Sequence, residues 1–95
     1  MMWNDFSPKT APGRLQDVLE QIRIGKHETA LHLLETFIAC LERSIRGPYV
    51  LGDEVFSSAK PHVSIAYQQL QGGLVENAEA SIGLALEELE KRHRT

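Results

Sequence analysis

Residues 26–46 constrain this chain more than any other stretch. Set on a helix at about 100° per residue, they separate into two faces. Ala30, Leu31, Leu33, Leu34, Phe37, Ile38, Cys40, Leu41 and Ile45 fill one arc of roughly 180°. Glu28, His32, Glu35, Ala39, Glu42, Arg43 and Arg46 fill the other. A helix lying on one neighbour needs an apolar stripe of only about 100°. An arc this wide wants two or more neighbours, so the segment reads as a central helix with the others laid around it. Gly47 falls where a left-handed cap would end it, and Pro48 forbids continuation.

Three further helices are predicted. The first covers residues 10–24, with Thr10 as cap and Pro12 in the first turn, where backbone amides have no helical partner anyway. Leu15, Val18, Leu19 and Ile22 make its apolar stripe, and Gly25 ends it. The third is read over residues 57–71, which places Pro61 in its first turn; the apolar period starting at Phe56 leaves a start at Asp53 as the alternative. The fourth covers residues 74–93, with a stripe of Leu74, Val75, Ala78, Ile82, Ala85, Leu86 and Leu89. Gly83 lies inside it, and Ala80, Ser81 and Gly83 offer so little bulk that another backbone could come close. Residues 1–9 are read as an arm and 10–95 as one domain. Within that domain, a hairpin at 10–47 and another at 57–94 are joined by a connection at 48–56.

The halves align without gaps at an offset of 48 residues, the separation of Gly25 from Gly73. Leu15, Val18, Leu19 and Ile22 fall on Val63, Ala66, Tyr67 and Leu70, and Gln21, Glu28 and Ala30 on Gln69, Glu76 and Ala78. Periodicity alone forces some of these pairs, but not the Gly, Glu and Ala of one turn. The stretches Gly25 to Leu31 and Gly73 to Glu79 resemble the turn of a tetratricopeptide-like helical hairpin. In that family a glycine closes the first helix and an alanine five residues later packs in the second. Leu34 and Ile82 match its bulky position, and Ala85-Leu86 its small-plus-leucine pair. Phe37 in place of a small residue, Asp17 in place of a leucine, and a spacing longer than the usual period of about 34 depart from the pattern. The resemblance implies helical hairpins and protein or peptide binding.

Little in the sequence points to chemistry. His27 and His32 are five residues apart and diverge around a helix, unlike the i, i+4 pair of a zinc protease. Glu28, His32 and Glu35 share a face, which keeps a metal- or small-molecule-responsive regulator as the alternative reading. No serine has a patterned histidine and acid, and Gly72-Gly73 is no phosphate loop. A net charge of −3 argues against a nucleic-acid partner. No apolar run nears the 18 or so residues of a membrane span. Residues 1–7 lack the pattern of a secretory signal. Cys40, the one cysteine, falls on the apolar side of its helix and suits a reducing, cytoplasmic setting.

The expected fold is therefore all-α, a tetratricopeptide-like four-helix domain of two antiparallel hairpins. The expected function is a non-enzymatic protein–protein interaction module: an adaptor, an inhibitor or antagonist, or a small chaperone of a larger protein. No catalytic residue, metal ligand or cofactor is assigned. The partner is another protein, with a second copy of this chain as one form it could take. Large apolar groups that the helices do not need mark the binding surface: Trp3, Phe6, Tyr49, Leu51 and Leu84. Leu84 lies about 120° outside the fourth helix's stripe, among polar neighbours.

Overall fold

A computed structural model describes residue 6, residues 9–46 and residues 53–93, with the backbone alone at 44–46, 53–55 and 91–93. Four helices follow one another: α1 Ala11–Arg23, α2 His27–Arg46, α3 Asp53–Gln71 and α4 Val75–His93. The described residues include no strand, and the fold is all-α. No helix among them is long and apolar enough to cross a membrane.

The two tight corners repeat bond for bond. Among the described residues, Gly25 and Gly73 are the glycines at positive φ, +86° and +82°. At the first corner Gly25 N–H donates to the Ile22 carbonyl at 3.1 Å and Lys26 N–H to the Gln21 carbonyl at 2.8 Å. At the second, Gly73 N–H donates to Leu70 at 3.1 Å and Leu74 N–H to Gln69 at 2.8 Å. Both are Schellman closures, which use orphan carbonyls at a helix end and need a left-handed residue at the corner. Ala30 and Ala78, equivalent residues one turn into the following helix, are fully buried. The small side chain sits where the incoming and outgoing helices lie close.

The helices pack α1 on α2, α2 on α3, α3 on α4 and α4 back on α1. This ring corrects the reading of residues 26–46 as a hub. α2 has two main neighbours, as does every other helix, and its wide arc reflects the two sides it covers. Polar contacts fix the direction of packing. Tyr67 Oη meets Glu35 Oε1 at 2.9 Å, and Lys60 Nζ meets Glu42 Oε1 at 3.7 Å. Seven residues forward on α2 thus correspond to seven back on α3, so the pair is antiparallel. Arg23 Nε at the end of α1 lies 3.8 Å from Glu79 Oε2 near the start of α4, the same sense again.

The core runs down the middle of the ring. Phe37, Phe56, Leu15, Leu34, Leu41, Ile82 and Leu89 are among its fully buried side chains, and Cys40 is buried beside them on α2. Leu31, Leu33 and Ile38 pack against it while partly exposed. Phe6, just before α1, closes one end. Its ring stands edge-on to Phe37 at a centroid distance of 5.1 Å and lies 5.2 Å from Phe56.

Three local expectations change. α3 starts at Asp53, the alternative that the apolar period from Phe56 leaves open, and not at Ser57, so Pro61 sits in the helix interior. The extra turn carries Phe56 into the core, where it is 2% exposed. Burying such a ring stabilises by about 1.5–3 kcal/mol, comparable with the ~3 kcal/mol an interior proline costs. Thr10 stands at the N-cap of α1 but its side chain makes no capping bond. Its backbone is helical (φ −93°, ψ −22°) rather than extended, and Pro12 has no N–H to offer at one of the two positions a cap reaches. Leu74 is 54% exposed and does not join the stripe of α4, because it belongs to the corner and not to the helix.

Candidate functional site

Of the five residues marked by sequence, Trp3, Tyr49 and Leu51 lie outside the described residues. Phe6 is half-buried on the core through the two ring contacts above. Leu84 stands on the outer surface of α4 with 48% of its area exposed.

Leu84 has a companion that the sequence reading passed over. Ile65, on α3, is 47% exposed. Ser81 Oγ donates to Gln69 Oε1 at 2.7 Å, which ties α4 to α3 at that level. Stepping antiparallel from this bond, four residues back on α3 is Ile65 and three forward on α4 is Leu84. The two aliphatic groups therefore share a height on adjacent helices. By helical rotation each leans toward the other's helix, outside the Gln69–Ser81 bond.

The internal repeat shows that the fold does not require them. At the 48-residue offset Ile65 corresponds to Asp17 and Leu84 to Thr36. Asp17 is exposed, and the Thr36 hydroxyl donates to the His32 carbonyl of its own helix at 3.1 Å. Two hairpins with the same corners thus present a polar pair in one case and an aliphatic pair in the other.

Charge is also thin here. Residues 57–75 carry one formal charge, Lys60, where the chain as a whole averages 24% charged residues. Lys60 points to Glu42 on α2, away from this face. Ser57, Pro61, Ile65 and Gln68 are exposed along α3, and Asn77 along α4. The thinning is confined to α3, since Glu87 and Glu88 lie one turn beyond Leu84 on α4. Gly83 adds nothing to the pair within the chain. A Cβ built there would meet no atom within 4 Å, so no neighbouring helix among the described residues approaches it closely.

A second feature lies between α2 and α3, a shallow cleft of about 320 Å³ lined by Glu35, Ile38, Ser64, Tyr67 and Gln68. Tyr67 donates its phenol hydrogen to Glu35 and accepts from Gln71 Nε2 at 3.3 Å. The bond to Glu35 foremost, then partial burial and the carboxylate's charge, raise the phenol above its ordinary value of 10.0. At neutral pH Tyr67 is therefore a hydrogen-bond donor, neither a base nor a nucleophile. His32 Nδ1 lies 3.9 Å from Glu35 Oε2, with the imidazole largely in solvent. Among the described residues no three His, Cys, Asp or Glu side chains are placed to hold a metal ion, so Glu28, His32 and Glu35 do not converge as a ligand set.

In comparisons with known proteins, no family model, curated protein or solved structure matches this chain.

Proposed function

We propose that this chain is a non-enzymatic protein–protein interaction module: an adaptor, an inhibitor or a small chaperone of a larger protein. It is built from two tetratricopeptide-like hairpins. The observation that carries the reading is the exposed Ile65–Leu84 pair, at positions where the twin hairpin is polar. Neither side chain belongs to the core cluster or to the partly buried groups packed against it. Exposed aliphatic groups set side by side gain by being covered, and another protein supplies the cover. The buried thiol of Cys40 suits a reducing compartment, and the reading sets the protein in the cytoplasm.

The test compares wild type with Leu84→Ala, first by melting and then by affinity purification from the native cell. Half-exposed as it is, Leu84 should shift the melting temperature by no more than about 2–4 °C, equivalent to ~0.5 kcal/mol. Captured protein should fall markedly. A large drop in melting temperature with capture unchanged would mean that Leu84 is structural and the reading is wrong.

A further inference from the structure

We infer that the cleft between α2 and α3 receives an arginine side chain of a partner protein, with its guanidinium on the Glu35 carboxylate and against the Tyr67 ring. This rests on reading the chain as an interaction module. It adds a second contact, separate from the Ile65–Leu84 pair, and the chemistry of the group it takes.

The fold does not require the polar pair that builds the cleft. At the 48-residue offset Tyr67 corresponds to Leu19 and Glu35 to Gly83. Those residues lie on α1 and α4, which pack on each other as α2 and α3 do. Leu19 is a core side chain there, 9% exposed. Tyr67 instead carries its hydroxyl out of the equivalent stripe to Glu35 Oε1 at 2.9 Å.

The lining selects a cation. Tyr67 fixes one carboxylate oxygen of Glu35, and Gln71 Nε2 in turn donates to the phenol at 3.3 Å. The other oxygen lies 3.9 Å from His32 Nδ1, beyond hydrogen-bond length. The lining residues include no lysine or arginine. Ser64 and Gln68 add oxygens that accept N–H groups, and Ile38 adds aliphatic surface. Nearby cations do not fill the place. Lys60, one turn before Ser64, pairs with Glu42 at 3.7 Å. Arg43 stands about 80° round α2 from Glu35, on the side away from Ile38. An anionic ligand would meet the Glu35 charge, and an apolar one would strip water from polar groups without replacing it.

Shape narrows the cation to arginine. At about 320 Å³ the cleft is at the lower end of ligand sites, and it is shallow, which suits one protruding side chain. A guanidinium is flat, grips a carboxylate through two parallel N–H groups and stacks on an aromatic face. Its methylene stem lies well on apolar surface, here Ile38. A lysine ammonium is a compact, strongly hydrated point charge and would use the carboxylate alone.

The experiment titrates the full chain with acetyl-Gly-Arg-Gly-amide and follows backbone amide shifts by nuclear magnetic resonance. The same peptide with citrulline, similar in shape but uncharged, and with lysine are the comparisons. Saturable shifts are expected at residues 35, 38, 64, 67 and 68. The citrulline peptide should bind about tenfold or more weakly, with lysine between the two. Glu35→Gln should remove the preference for arginine over citrulline. Tyr67→Leu, after Leu19 of the twin hairpin, should remove the preference for arginine over lysine. Should Tyr67→Leu disturb folding, Glu35→Gln, at an exposed position, carries the test by itself. Absence of binding overturns the inference, as does citrulline or lysine binding as tightly as arginine. So do shifts spread over exposed carboxylates such as Glu20 and Glu76, or binding indifferent to Glu35→Gln. Leu84→Ala should leave the shifts unchanged. If the peptide fails to bind while Leu84→Ala still loses a captured protein, the cleft falls and the interaction reading stands. If it binds as expected while capture is indifferent to Leu84, the cleft stands and the Ile65–Leu84 surface falls.

Discussion

Three glycine-to-alanine substitutions should give stability changes of two different signs. Gly25 sits at φ +86° with open space where a Cβ would be, and Gly73 at φ +82° likewise. An alanine forced into that left-handed region costs about 1–2 kcal/mol. Part of this, about 0.4–1 kcal/mol, is offset because alanine also has fewer unfolded conformations to lose. A net loss of about 1 kcal/mol is expected at each corner, or 4–8 °C in melting temperature for a domain of this size. Gly83 is inside α4, and its added methyl would also meet no atom within 4 Å. With ordinary helical geometry and no clash, Gly83→Ala should gain about 1 kcal/mol. The same methyl group thus destabilises twice and stabilises once, and backbone angle alone decides.

Urea unfolding of the four proteins, followed by helical circular dichroism at low concentration, measures this through midpoints at a common slope. Asparagine, which tolerates the left-handed region, should recover part of the loss at residue 25. The corner argument is refuted if Gly25→Ala and Gly73→Ala differ by more than about 0.5 kcal/mol, the usual error of such comparisons. It is refuted equally if Gly83→Ala destabilises.

Other predictions follow from the core, the proline and the phenol. Phe56→Ala should cost roughly 3–5 kcal/mol, because the ring is almost wholly buried against Phe6 and the core; urea midpoints check it. Pro61→Ala should stabilise by about 1–3 kcal/mol, since it restores an interior N–H and removes a ring clash at an exposed position; no gain would move the start of α3 back to Ser57. A phenolate absorbance titration, differenced between wild type and Tyr67→Phe, should place the Tyr67 midpoint above 10.0, and Glu35→Ala should lower it. Because the folded phenol is raised above the unfolded one, its stabilising contribution is whole below about pH 10 and is lost as pH climbs through the folded value.

The corners were legible because they depend on local chemistry. A glycine that ends an apolar stripe, followed by an alanine five residues on, can be read without knowing the neighbours, and Gly25 and Gly73 both form the closures expected. The start of α3 was not legible in the same way. Local rules put Pro61 in a first turn, while the apolar period from Phe56 allowed a start at Asp53; the ring of Phe6, distant in sequence, packs on Phe56 and favours the earlier start. The arc on α2 gave the number of neighbours but not their arrangement, since a hub and a member of a ring both need wide apolar faces. Ile65 was within reach. It lies off the stripe of Val63, Ala66 and Leu70 just as Leu84 lies off its own, and the same comparison applied to α3 would have found it.

The repeat also separates what the fold needs from what it merely carries. Where the halves agree (glycine at the corner, alanine after it, aliphatic groups facing inward), the agreement follows from building the same hairpin twice. Where they differ at outward positions, packing gives no reason for the difference. Asp17 and Thr36 show that a hairpin of this geometry stands with polar groups there. Ile65 and Leu84 leave aliphatic area in water where the first hairpin does not. Replacing the pair by aspartate and threonine asks the second hairpin only to resemble the first, so the expected cost to folding is small. Any loss of association then reports on the surface itself.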